Sequence, residues 1–212
     1  LVRGLNAMSA IASGFTILFL FWNITHLARK IVLKGSTEAS LSQILSIMGA
    51  GVVGALAYTF SDSFWYSAVE GEVYALSSFF TAIVFWAILK WEAHADEPGA
   101  DRWIVFIFFL MGLSIGVHLL NLLTIPALAF IYYFKRSSQV TTKGVITTFV
   151  IGAGILALIQ YGIIQGLITL AGSFDLLFVN SFGLPFGSGI LIYLLLLIGA
   201  IVWGLIYTKK KD

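Results

Sequence analysis

Two groups of residues have the types and spacing that chemistry needs. The first is the run Asp62–Val73, DSFWYSAVEGEV, where Glu70 and Glu72 stand beside Trp65, Tyr66 and Tyr74, with Asp62 at its head. Close carboxylates in a half-dry place suit general acid–base work or the holding of a cation. The same run reads equally as the approach to a helix beginning near residues 67–71, where the dipole favours acids in a first turn whether or not they react. On such a helix Glu70 and Tyr74, four apart, share a face while Glu72 points elsewhere, so spacing does not say which carboxylate meets a substrate. The second group is Ser114, His118 and Asn121, at i, i+4 and i+7, one polar stripe on an otherwise apolar helix. Polar side chains at membrane depth are costly and face the bundle interior. The stripe is therefore either a hydrogen-bonded seam or a histidine within reach of a phosphate or an acidic partner. His26 and His94 have no neighbours at metal-ligand spacing. Walker A and HExxH patterns are missing, which leaves P-loop nucleotide chemistry and zinc-protease hydrolysis unsupported.

The elements that must position these groups are membrane helices. The 212 residues are 59% hydrophobic and 10% charged, with mean hydropathy +0.99, whereas a soluble domain carries about 25% charge. That excludes a soluble enzyme, a disordered tail and a nucleic-acid module, and a net charge of +2 gives no reason to expect a nucleic-acid partner. The lack of cysteine excludes disulfides, thiolate zinc sites and a cysteine nucleophile. A crossing helix needs about 20 apolar residues, and the runs predict spans near Leu5–Leu27, Ser42–Ser61, Tyr74–Trp91, Trp103–Phe134, Val145–Ile168 and Gly189–Thr208. The fourth run is too long for one crossing of a ~30 Å core.

Charge settles how that run is expected to travel, because cytoplasmic loops collect Lys and Arg. Arg29, Lys30, Lys34, Lys90, Arg102, Lys135, Arg136, Lys143 and Lys209–Lys211 all fall inside if Trp103–Phe134 crosses twice, as a tight hairpin of two short helices broken near His118–Asn121. The expectation is then an all-α polytopic bundle of about seven transmembrane helices in one domain, residues 1–212. Its N-terminus lies outside and its C-terminus inside, so that of twelve basic residues only Arg3 faces out. Asp62, Glu70, Glu72 and Asp175 face out with it, and the other acids are solvated inner-loop and tail charges. An outer N-terminus without a signal peptide or an initiating methionine suggests a fragment preceded by at least one further span. Gly112 and Gly116 form a GxxxG expected to let a neighbouring helix approach, and Pro126 is expected to end or kink the second short helix. A second outer segment, Thr169–Ser188, carries Asp175, Asn180 and Phe174, Phe178, Phe182 and Phe186 at every fourth position. That pattern reads as an interfacial amphipathic helix or a simple packed cap.

The runs FSDSFWYSAVEGEVYALSSFFTA, GLSIGVHLLNLLTIPAL and FVNSFGLPFGSG resemble the bacterial DUF2723 family of integral membrane proteins, common in Bacteroidetes. That family is similar to protein O-mannosyltransferases and is grouped with the GT-C fold glycosyltransferases. The resemblance implies a GT-C-like fold in a bacterial inner membrane. The implied activity is transfer of a sugar, mannose-like, from a polyprenyl-phosphate donor to a hydroxyl of an acceptor protein on the extracytoplasmic side, with inversion. It implies Glu70 and Glu72 as catalytic acids of an outer loop, with Asp62, Trp65, Tyr66 and Tyr74 around the substrate and His118 and Asn121 near the lipid phosphate. No cofactor beyond the lipid-linked donor is implied, and participation of a divalent metal is left open. The family's first outer loop, with its main acidic motif, would lie before Leu1, so the chain alone is expected to be inactive. Two other readings remain. The broken helix pair and the polar stripe suit a transporter or channel subunit, although no inverted repeat is evident, and a non-catalytic membrane scaffold subunit fits the composition equally.

Overall fold

The computed structural model describes residues 2–209, and among them every regular element is helical. Lys210, Lys211 and Asp212, expected in an inner tail, lie outside the described residues. The elements are α1 (Val2–Leu33), α2 (Leu41–Thr59), α3 (Asp62–Val69), α4 (Val73–His94), α5 (Asp101–Ile115), a 3-10 turn (Leu119–Thr124), α6 (Ile125–Arg136), α7 (Thr142–Ala157), a π segment (Leu158–Gln165), α8 (Gly166–Phe182) and α9 (Ser188–Lys209). Among the described residues five helices are long and apolar enough to cross a membrane: Arg3–Leu33, Leu41–Thr59, Val73–His94, the continuous Thr142–Phe182 and Ser188–Lys209. Contacts divide the chain into two compact units, Leu1–Ala153 and Gly154–Asp212.

In the first unit α1 packs on both α2 and α4. The α1–α2 seam is close because Gly51 and Gly54 face α1. A Cβ on Gly51 would come within 2.8 Å of the Phe21 ring, and one on Gly54 within 2.6 Å of Ile24. Ser40 opens α2 with a capping box, its Oγ accepting from Gln43 N while the Gln43 side chain accepts from Ser40 N. The α1–α4 seam is partly polar: Ser9, Ser13, Thr16 and Asn23 of α1 and Ser77 of α4 are buried, and Asn23 donates to the Ala82 carbonyl at 3.0 Å. The packing motif expected at Gly112 and Gly116 lies elsewhere. A Cβ on Gly112 would meet open space and one on Gly116 only its own helix, so no neighbouring helix closes on either.

The segment after α4 runs out and back. Arg136, at the end of α6, donates to the Ala95 carbonyl, and Lys135 pairs with Asp96 at 2.7 Å, so both ends of the excursion meet at the loop between α4 and α5. It is not a tight hairpin, however. Its two legs pack on α4 and on the 3-10 turn rather than on each other. Pro126 sits in the first turn of α6 and starts that helix, where a missing N–H and a fixed φ cost nothing. At the same basic end Lys30 of α1 pairs with Glu92 of α4.

The Asp96 carboxyl is held below its ordinary value, first by its hydrogen bond to Lys135 and then by that ammonium's charge. A carboxylate whose folded value is depressed adds stability above its unfolded value and loses it as pH falls through the folded one. We therefore expect Asp96→Asn to lower the unfolding midpoint by a constant amount from pH 8 to pH ~5, with wild type and variant converging below the ordinary carboxylate value of 3.8.

The second unit corrects the expected loop over residues 169–188. The helix does not stop near Ile168 but continues through the π segment and α8 to Phe182, where Gly183 closes it in the left-handed region (φ 64°). Leu184 N donates to the Phe178 carbonyl and Gly183 N to that of Val179, the pairing of a Schellman end. Phe174, Phe178 and Phe182 do form one ladder, at centroid spacings of 6.2 and 5.2 Å, whereas Phe186 lies past the helix and is exposed. Asp175, expected in a loop, is buried on α8. Its carboxylate accepts from Gly187 N at 2.9 Å and Gly189 N at 3.1 Å and so caps the start of α9.

Candidate functional site

The acid-bearing run folds as a helix, a break and a second helix. Residues 62–69 form α3, with Phe64 buried against Tyr58 (centroids 4.4 Å apart). Glu70 and Glu72 are both in extended backbone, Glu70 closing α3 and Glu72 capping the start of α4. Gly71 lets the break lie against α1, because a Cβ there would come within 3.1 Å of Asn6 Oδ1 and 3.3 Å of Leu5 Cβ. Glu70 and Tyr74 therefore do not share a helical face, since the break separates them. The two carboxylates also meet opposite ends of helix dipoles: α4 favours an anion at Glu72, and the shorter α3 opposes one at Glu70. Both are exposed, so these residues alone do not supply dry surroundings.

The elbow is built from the polar stripe. His118 is half-buried, and its Nδ1 accepts from Leu120 N at 3.1 Å, capping the 3-10 turn. With Nδ1 used as an acceptor, the neutral ring carries its proton on Nε2 and offers a donor there. Asn121 is fully buried and donates to Ser114 Oγ at 3.0 Å, and Ser114 in turn donates to the Met111 carbonyl at 2.8 Å. Thr124 Oγ1 closes the turn on the Asn121 carbonyl at 2.7 Å. Ser114 and Asn121 thus hold the elbow, and His118 is the member of the stripe that reaches outward.

The break and the elbow meet. The Tyr74 and His118 rings lie 5.6 Å apart, centroid to centroid, at an interplanar angle of 51°. Two cavities flank this end. One, of about 560 Å³, is lined by Phe60, Asp62, Trp65, Tyr66 and Val69, with Trp65 stacked on Phe60 (6.2 Å, 16°). The other is a largely apolar groove of about 470 Å³ between α1, α2 and α4. It reaches from Leu120 and Tyr58 past Ala82 and Phe85 to Leu27. Asn23, which the sequence did not single out, lines it and leaves its Oδ1 buried without a partner. A lone Asn in an apolar run carries too little signal to be picked out before its neighbours are known. Of the sequence-derived candidates, Asp62, Trp65 and Tyr66 share one cavity, Tyr74 and His118 touch, Glu70 and Glu72 bracket the break, and Asn121 is enclosed behind the elbow. Among the described residues no group of three or more His, Cys, Asp or Glu could hold a metal ion.

Over residues 2–141, α1 to α6 and every candidate residue above, the sequence matches the family model described as the protein O-mannosyl-transferase TMEM260 N-terminal domain. No curated protein and no solved structure matches it.

Proposed function

We infer the activity from one premise: the chain belongs to the protein O-mannosyl-transferase TMEM260 N-terminal domain family, whose model covers about two thirds of it. On that premise it forms part of a membrane glycosyltransferase of the GT-C type. Its substrates are a polyprenyl-phosphate-linked sugar, mannose-like, and a protein hydroxyl on the extracytoplasmic side of a bacterial inner membrane. The out-and-back segment counts as two crossings in this reading, which makes seven, and the basic end and C-terminus face the cytosol.

The observation that carries the reading is the contact between Tyr74 and His118, which brings a proton-donating ring to the carboxylate-bearing break. Transfer requires a base for the acceptor hydroxyl and donors for the leaving phosphate. Glu72, with the α4 dipole favouring its negative charge, takes the hydroxyl proton, and Glu70 assists from across Gly71. The freed oxygen bonds to the anomeric carbon as the bond from that carbon to the phosphate oxygen breaks, and the electron pair leaves with the lipid phosphate. His118 Nε2–H donates to that phosphate, with Asn121 positioning it through the elbow. The acceptor lies along Asp62, Trp65 and Tyr66, and the polyprenyl chain lies in the apolar groove beside Leu120. Both ends of the donor are thereby matched by chemistry, a polar mouth and a greasy wall.

The test is transfer of radiolabelled sugar from a polyprenyl phosphate to a hydroxyl-bearing peptide, assayed with the protein in native membranes. His118→Gln is expected to lower turnover about 100-fold while leaving the unfolding midpoint within a degree or two. Full turnover by the variant, in membranes where the wild-type protein transfers sugar, would overturn this assignment.

A further inference from the structure

The opposite, basic end of the first unit holds a cleft that the proposed reaction does not use. It measures about 450 Å³ and lies between α1, α2 and α4. Ile47, Met48 and Leu89 contribute apolar wall, Trp22 and Trp86 contribute indole rings, and the ionisable lining is His26, Arg29 and Lys90, with no carboxylate. Lys90 Nζ sits 5.7 Å from the centre of the Trp86 ring, a cation–π contact that steadies the ammonium without neutralising it. Neither Arg29 nor Lys90 has an ion-pair partner among the described residues. The carboxylate that acts on His26, Glu92, is already engaged by Lys30. His26 Nε2 is buried and has no hydrogen-bond partner among the described residues.

An unneutralised Arg–Lys pair in a cleft without a carboxylate calls for an anionic oxygen ligand. The apolar wall calls for something more than an anion. A free phosphate would gain nothing from the exposed Met48 or Trp22, whereas a glycerol backbone and the first methylenes of an acyl chain would cover both. Trp22 and Trp86 suit the depth at which headgroup and hydrocarbon meet, and basic pockets between membrane helices take lipid phosphates there.

We propose that the Arg29–Lys90 cleft beside His26 binds the phosphodiester headgroup of an anionic glycerophospholipid, with Arg29 and Lys90 on the phosphate oxygens. The lipid staples α1, α2 and α4 together at the basic end.

The whole chain, purified in a non-ionic detergent, is unfolded thermally with added short-chain phosphatidylglycerol, short-chain phosphatidylcholine or inorganic phosphate at equal phosphorus. Phosphatidylglycerol alone is expected to raise the midpoint, saturably. The Arg29→Gln, Lys90→Gln double variant should weaken the apparent affinity about thirtyfold, from about fivefold for each cation. The charge-keeping Arg29→Lys, Lys90→Arg variant should stay within about threefold of wild type. Arg102→Gln, in a separate cleft that shares Trp86, should leave the affinity unchanged. Equal protection by phosphatidylcholine or by inorganic phosphate, no response to phosphatidylglycerol, or undiminished affinity in the double variant would overturn the proposal.

Discussion

Glu72→Gln is expected to reduce sugar transfer by about 10²–10⁴-fold, the range a positioned general base contributes, and to do so without loosening the fold. The substitution is nearly isosteric and the site is exposed. The side chain makes no capping hydrogen bond to α4, so little stability rides on its charge. Glu70→Gln should cost less, about tenfold, because an assisting carboxylate across Gly71 shares the work rather than receiving the proton. The order of the two effects is the informative result. Helix dipoles favour the anion at Glu72 and oppose it at Glu70, so a larger loss at Glu70 would reverse the assignment. Wild-type turnover in both variants would leave only an acid-decorated helix start. Radiolabelled transfer and the unfolding midpoint, measured on the same preparations, separate the two readings.

Gly189→Ala is expected to destabilise the second unit by about 1–3 kcal/mol or more, the cost of overpacking. A Cβ at Gly189 would come within 2.7 Å of Asp175 N and closer still to Asp175 Cα and the Phe174 carbonyl oxygen. All three are backbone atoms of α8, and backbone cannot rotate away as the tip of a side chain can. The intruding methyl would also lever Gly189 N and Gly187 N off the Asp175 carboxylate, leaving a buried anion short of donors. The contrast is Gly112→Ala, where the added Cβ meets open space in the last turn of α5. That change should stabilise by about 0.5–1 kcal/mol through helix propensity. Unfolding midpoints in mixed micelles for the two variants should therefore move in opposite directions, and a shared sign would refute this account of the α8–α9 contact.

The two glycines show why part of the architecture is readable from residue order and part is not. A GxxxG spacing marks a helix face onto which a partner would fit, but it does not say that one comes. Gly112 and Gly116 have the pattern and face no neighbouring helix, while Gly51, Gly54 and Gly189 carry the close approaches without announcing them. Likewise Asp175 and the phenylalanine ladder read as an outer segment, an interfacial helix or a packed cap, because polar and glycine residues interrupt the apolar run. In the structure the helix absorbs them to Phe182, since Asp175 is satisfied by the N–H groups of Gly187 and Gly189. Local composition cannot report a hydrogen bond made 12 or 14 residues away.

Residue order by itself determined the medium, the helical class and the approximate position of the long apolar helices. Each of these follows from sums over many residues, namely apolar length against bilayer thickness. The tertiary structure alone decided that α3 and a break separate Glu70 from Tyr74, that Asn121 turns inward to Ser114 while His118 faces Tyr74, and that the legs of the excursion lean on α4. It also decided that His26, Arg29 and Lys90 line one cleft. Those outcomes depend on single contacts between residues tens of positions apart, where a rotation of one helix by a third of a turn exchanges a buried partner for open lipid, and no average over neighbours in the chain contains that angle.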